Sequence, residues 1–354
     1  MNKLPGLLLT CTAALAALTA LADPAPMLSP DKDADGKPLP FGRPAYLPPS
    51  TPLGSGRFKA IMAMDASLPD HTLYYPADLS AAGKLPVIVW GNGACINAGN
   101  RFRIMLTELA SHGFLVIAGG PIANPKYEVG PQENPAVPAP GTPPQAAPPQ
   151  AAAPPAAAAP APGDAVGRNT AQQMVAALDW AGKANENPQS AFYRRLDTAK
   201  MAAAGQSCGG GLTASVAGDP RIKASAIFSG APRIDDAGAG AATPGTPGGR
   251  QLVDAWHAPM LLLAGDAQHD VAHQRTLDVF AYMTKIPVFM AWQDGLTHIG
   301  TYGMANGGEL ARLGAQWFAW QLRGDKSAGR TFVGADCGLC KEGDGWHVSR
   351  KRID

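Results

Sequence analysis

The pentapeptide Gly205-Gln206-Ser207-Cys208-Gly209 is a G-x-S-x-G pattern, and a serine held this way can act as an acyl-transfer nucleophile. In a chain with 41 glycines the bare pattern carries little weight, so its neighbours decide. Met201 to Ala204 reads as a short buried strand ending at the motif, and Leu212 to Ala217 continues as a helix. A sharp turn between them would leave Ser207 exposed at the strand end, with glycine on either side so that strand and helix can approach closely.

A serine hydroxyl needs a base, and the base needs a carboxylate to orient it. His298 lies in a glycine-containing loop after the last apolar run of the domain, whereas His257, His269 and His273 precede that run. Past the apolar run Met260 to Ala264 stand two acids, Asp266 and Asp270. Asp270 is preferred because it comes beyond the turn and just before a helix, while Asp266 suits a turn-forming role. The chain order is then Ser, acid, His. A tetrahedral intermediate also needs backbone donors. The N–H of Cys208 is one, and the loop Gly91-Asn92-Gly93-Ala94-Cys95 supplies the other, with Ala94 the expected donor.

Eight short apolar runs, alternating with helical patterns, must position these groups. Strands are expected near Phe58 to Met64, Thr72 to Tyr75, Val87 to Trp90, Phe114 to Ala118, Lys200 to Ala204, Ala224 to Phe228, Met260 to Ala264 and Val288 to Ala291. Helical spacing joins Phe102, Met105, Leu106 and Leu109, then Met174, Ala177, Leu178 and Ala181. It also joins Leu277, Phe280 and Met283, and finally Leu310, Leu313, Trp317 and Trp320. Such alternation predicts an α/β fold, a mostly parallel eight-stranded sheet with helices on both faces.

The outer segments differ in composition. Residues 1–22 read as a signal peptide: Lys3, an apolar stretch from Leu7 to Leu21, and a small-residue site that predicts cleavage after Ala22 and a secreted or periplasmic protein. Residues 23–56 are expected to form an extended N-terminal arm, and 57–354 one domain. Within it, 131–163 holds 12 prolines and 12 alanines and is expected to be a disordered insert. Residues 324–354 are expected to be an irregular tail. With 16% charged residues and a net charge of +1, the chain offers no basic surface for nucleic acid. No segment after the leader is long and apolar enough to span a membrane. Composition does not reveal the oligomeric state.

Export would leave four cysteines, Cys95, Cys208, Cys337 and Cys340. Cys337 and Cys340 suit a local bridge, since neither a strand-helix redox context nor a second pair of zinc ligands accompanies them. Cys95 and Cys208 flank the two expected oxyanion donors. Convergence of those donors would allow a second bridge, the alternative being two small buried thiols.

From about Phe58 to Arg323 the chain resembles the α/β-hydrolase superfamily. The resemblance rests on Val-Ile-Val-Trp-Gly-Asn-Gly-Ala-Cys (87–95), Ala-Ser-His-Gly-Phe-Leu-Val-Ile-Ala (110–118), Gly-Gln-Ser-Cys-Gly-Gly (205–210) and His-Ile-Gly-Thr-Tyr-Gly (298–303). Together these look like secreted proteins related to the dienelactone-hydrolase and cutinase-like polyester-hydrolase branches. They differ from the first in having serine rather than cysteine as nucleophile, and from the second in lacking an aromatic residue in the oxyanion loop. The resemblance implies a serine esterase that uses neither metal nor cofactor and acts on a small or polymeric ester. An amide or peptide hydrolase, or a non-catalytic ligand-binding relative, is the alternative expectation.

Overall fold

Short runs of apolar residues form the buried middle of one sheet. The computed structural model describes residues 47–130, 166–234 and 248–354. The expected leader, most of the arm and the 131–163 tract lie outside the described residues. The strands are β1 (Ala60–Ala63), β2 (His71–Pro76), β3 (Leu85–Gly91), β4 (Leu115–Gly119), β5 (Leu196–Gln206), β6 (Ile222–Phe228), β7 (Met260–Gly265), β8 (Val288–Gln293) and β9 (Trp346–Lys351). The helices are α1 (Leu79–Ala82), α2 (Arg103–Ser111), α3 (Ala171–Glu186), α4 (Cys208–Val216), α5 (Gly249–Asp254), α6 (His273–Tyr282), α7 (Gly308–Arg323), α8 (Lys326–Gly329) and α9 (Gly338–Lys341). Among the described residues, no helix is long and apolar enough to cross a membrane.

The sheet order is β1-β2-β4-β3-β5-β6-β7-β8-β9. From β4 to β8 all neighbours pair in parallel. β3, β4 and β7 are buried along their whole length, as strands covered on both faces must be. The two faces follow the period of two along each strand. Ile88, Trp90, Ala202, Ala204, Leu261 and Leu263 pack beneath α2 and α7. Val87, Val89, Met201 and Ala203 face α3 instead, and Leu262, Val288 and Met290 face α6. Helix α3 begins at a capping box, in which the Thr170 side chain accepts from Gln173 N–H and the Gln173 side chain accepts from Thr170 N–H. Helix α7 ends at Gly324 in the left-handed region.

The sheet has nine strands and is mixed, where eight mostly parallel strands were expected. β2 runs antiparallel to β4, β1 antiparallel to β2, and β9 antiparallel to β8. The ninth strand comes from residues 324–354, expected to be irregular. Its sequence, Trp-His-Val-Ser-Arg-Lys, has no apolar run because an edge strand has only one neighbour and a solvated flank. Phe332, Cys337, Leu339 and Ile353 of the same segment enter the main core. Lys351 Nζ donates to the carbonyls of Phe280, Ala281 and Met283, closing the end of α6 with a positive charge. At the other edge, the described end of the arm is fastened to α2. Ser55 N–H and Oγ–H both donate to Glu108, and Gly56 N–H donates to Ser111 Oγ.

Parallel strands end on the same side, so the segments after β3, β5, β6, β7 and β8 all emerge at one edge of the sheet. These are the segments that contain Ala94, Ser207, Ser229, Asp270 and His298.

Candidate active site

Ser207 sits between β5 and α4 with φ 53° and ψ −119°, a conformation that L-residues rarely adopt. Its neighbours make that turn possible. A Cβ on Gly205 would collide with Gly209 O, and one on Gly209 with Gly91 O, so both glycines of the motif are required by close backbone approach. The turn is closed by Ser207 N–H donating to Phe228 O (2.9 Å) and Gly210 N–H donating to Ser207 O (2.9 Å).

His298 and Asp270 meet Ser207 in one hydrogen-bonded chain. A carboxylate can only accept, so His298 Nδ1–H donates to Asp270 Oδ1 (2.7 Å), which leaves Nε2 to accept from Ser207 Oγ–H (2.8 Å). The Asp270 side chain is fully buried. Burial pushes its pKa up, but hydrogen bonds from His298, Ser229, Ala272 N–H and Gly265 N–H together outweigh burial and hold it below the usual aspartate range. The charged carboxylate therefore stabilises the fold above the ordinary aspartate pKa, and this contribution is lost as pH falls through the depressed value. Thermal melts across the acid range should show the wild-type Tm falling more steeply than that of Asp270→Asn.

Asp266 does not reach His298. It accepts from the backbone N–H groups of Gln268 and His269 (both 2.9 Å) and from Gly295 N–H (2.6 Å), and it pairs with His269 Nδ1 (2.8 Å). It thus shapes its own turn and ties it to the loop that carries His298. His298 N–H donates to His269 O (3.0 Å), a second tie between the same loops.

In the loop after β3, Ala94 and Cys95 both have positive φ, 54° and 51°. Cys95 is joined to Cys208 by a disulfide with 5.2 Å between the Cα atoms, which holds this loop against the first turn of α4. The N–H groups of Ala94 and Cys208 have no acceptor among the described residues. The second disulfide, Cys337–Cys340, lies far from this edge in sequence, in the C-terminal segment.

Three polar residues that sequence reasoning missed hold the site together. Buried Asn92 donates from Nδ2 to Ile96 O, Ala98 O and Gly119 O and accepts from Trp90 Nε1–H, bracing the loop from inside. Asn169 Oδ1 accepts from Asn92 N–H, and Asn169 N–H donates to Cys95 O. Gln206 Nε2–H donates to His298 O (2.9 Å), while a Cβ on Gly93 would collide with Gln206 Oε1. One buried amide therefore touches the loop after β3 and the loop that carries His298 at once. Gln206→Leu keeps the bulk but leaves His298 O without its donor, a loss of about 1 kcal/mol. We expect kcat to fall about fivefold with KM nearly unchanged, as steady-state kinetics on a neutral ester would show. In the sequence, Gln206 is marked by its place inside the motif and Asn92 by its glycine neighbours, whereas Asn169 is marked only by its place just before a helical pattern.

Residues 165–235 match the family described as PETase: PET hydrolase-like. This is an α/β-hydrolase fold. The matched stretch holds α3, β5, the Ser207 turn, α4 and β6, the part of the fold that forms and buttresses that turn. The match and the sheet support a hydrolase of ester substrates. No curated protein matches the chain.

Proposed function

We propose that this α/β hydrolase is an exported serine esterase that cleaves carboxylic esters, polyesters included, through Ser207, His298 and Asp270. The observation that carries the reading is the unbroken hydrogen-bonded chain from Ser207 Oγ through the His298 ring to buried Asp270. As Ser207 Oγ attacks the ester carbonyl, His298 Nε2 takes its proton and Asp270 stabilises the resulting imidazolium. The carbonyl oxygen, now negative, is received by the N–H groups of Cys208 and Ala94. His298 then protonates the departing alkoxide, leaving an acyl-enzyme. Water repeats the sequence, with His298 as base, and releases the acid. Ester substrates are favoured by the match to a PET hydrolase-like family. Two disulfides agree with an oxidising compartment.

A fluorophosphonate probe tests the reading. Stoichiometric labelling that peptide mapping locates on Ser207, together with turnover of 4-nitrophenyl esters, is the expected result. Absence of both would identify a silent scaffold, and turnover of anilides in preference to esters would identify an amidase.

A further inference from the structure

Arginines in this protein are consistently used. Among the described residues, every arginine but three meets an oxygen acceptor or an aromatic ring: Arg221 takes Asp179 and Asp219, Arg312 takes Glu309 and Glu342, and the rest take carbonyls, a serine hydroxyl or ring faces. The exceptions are Arg168, Arg233 and Arg275, and all three belong to the edge of the sheet where Ser207 stands.

In the sheet order they lie on either side of the strand end that carries Ser207. Arg168 bridges antiparallel to Ile96 of the oxyanion loop, and its Nη2 lies 3.8 Å from Cys208 Sγ, on the residue next to Ser207. Arg233 follows β6, three residues past Gly230, whose Cβ position is occupied by Ser207 O. Arg275 lies in the first turn of α6, five residues after Asp270, and helical side chains lean toward the N-terminus, here toward the catalytic edge. Arg275 is half-buried. Burial, and after it the like charge of Arg233, hold its pKa below the usual guanidinium range, while Asp270 acts in the opposite direction. A partly desolvated guanidinium that feels the charge of a second one, while Asp270, the carboxylate that acts on it, is already committed to His298, is an arrangement that an incoming anion would relieve.

We propose that Arg168, Arg233 and Arg275 form an anion-binding rim that recognises a free carboxylate on the ester substrate. The inference rests on the esterase reading above and names its substrate class: esters whose other end is an ionised acid, either small half-esters of dicarboxylic acids or the acid-terminated ends of oligoesters. Guanidinium forks suit such a group because they bind carboxylates in a bidentate manner, and charges on both sides of Ser207 would draw an anionic ester into register with the reactive oxygen.

The test compares paired substrates in the full-length protein. At low salt, mono(4-nitrophenyl) glutarate should give a kcat/KM at least about tenfold above that of its methyl-capped diester, carried mainly by KM. The advantage should shrink severalfold in about 0.5 M salt, as screening requires. Arg275→Gln and Arg233→Gln should each raise KM for the half-ester severalfold more than for the diester, and Arg168→Gln should do so too. A second pair, an acid-ended and a methyl-capped oligoester, separates the two sources: preference in both pairs indicates chain ends, and preference in the first alone indicates small half-esters. Equal kcat/KM within both pairs, or arginine variants that affect charged and neutral esters alike, would overturn the proposal even while ester turnover persists. Calorimetry of glutarate with Ser207→Ala protein keeps the two readings distinguishable. Salt-sensitive binding that is lost in Arg275→Gln supports the rim whether or not Ser207 is catalytic, and no binding counts against it.

Discussion

Ser207→Ala is expected to lower kcat for ester hydrolysis by a factor on the order of 10⁴ to 10⁶, and His298→Ala by a comparable factor. The two changes combined should cost hardly more than either alone, because neither group works without the other: Oγ has no base without His298 Nε2, 2.8 Å away, and the imidazole has nothing to deprotonate without Oγ. Circular dichroism and melting should show each variant folded, since Ser207 and His298 are both only partly buried. Asp270→Asn should cost about 10³ to 10⁴ in kcat, because an amide that donates toward His298 Nδ1 favours the wrong tautomer. Asp266→Asn should cost far less, its partners being Gln268, His269 and Gly295 rather than His298. A larger loss at Asp266 than at Asp270 would reverse the assignment of the acid. A double mutant as severe as the product of the singles would show that Ser207 and His298 do not act as a unit.

Removal of the Cys95–Cys208 bridge should have the second largest effect, and on two quantities. The bridge joins residues 113 apart in sequence. On a chain-entropy account, a loop of that size contributes up to about 4–5 kcal/mol through the unfolded state, so Cys95→Ala with Cys208→Ala should lower the melting temperature. Catalysis should suffer as well. Ala94 and Cys95 both hold positive φ without the excuse of being glycine, and the bridge is the covalent tie that holds them against α4. Without it the Ala94 N–H loses its fixed direction, and removing one oxyanion donor costs about 10² to 10³ in kcat. Mild reduction of the wild-type protein should therefore depress kcat well below the temperature at which it melts, with KM little altered. Undiminished kcat in the double alanine variant would show that Asn92 and Asn169 hold the loop unaided.

Much of this architecture is local and therefore readable in a linear chain. Buried parallel strands must be apolar throughout, so β3, β4, β6, β7 and β8 stand out as runs such as Val87 to Trp90 and Met260 to Ala264. The helices that cover them repeat their apolar residues at a spacing set by 3.6 residues per turn. A nucleophile turn is likewise local: glycines two positions to either side of Ser207 answer to contacts within one strand-turn-helix unit and the strand beside it. Chain order then narrows the base and the acid to a few residues each.

What the sequence by itself determined, then, was the number and kind of the central elements, the edge at which they end, and Ser207 as the residue displayed there. Only the tertiary structure shows which of Asp266 and Asp270 meets His298, because the loop has the same composition whichever carboxylate turns that way, and the difference lies in hydrogen bonds to β7, α6 and a loop 28 residues away. It also decided that residues 346–351 are a strand, since an edge strand is held by backbone pairing to β8, which leaves little mark on side-chain pattern. The contacts of Gln206, Asn92 and Asn169, and the placement of Arg168, Arg233 and Arg275 at the sheet edge where Ser207 stands, belong to the same class. Each depends on groups far apart in sequence meeting at the common end of parallel strands, and hydrogen bonds and charges, unlike apolar periodicity, have no period along the chain to betray where they will be used.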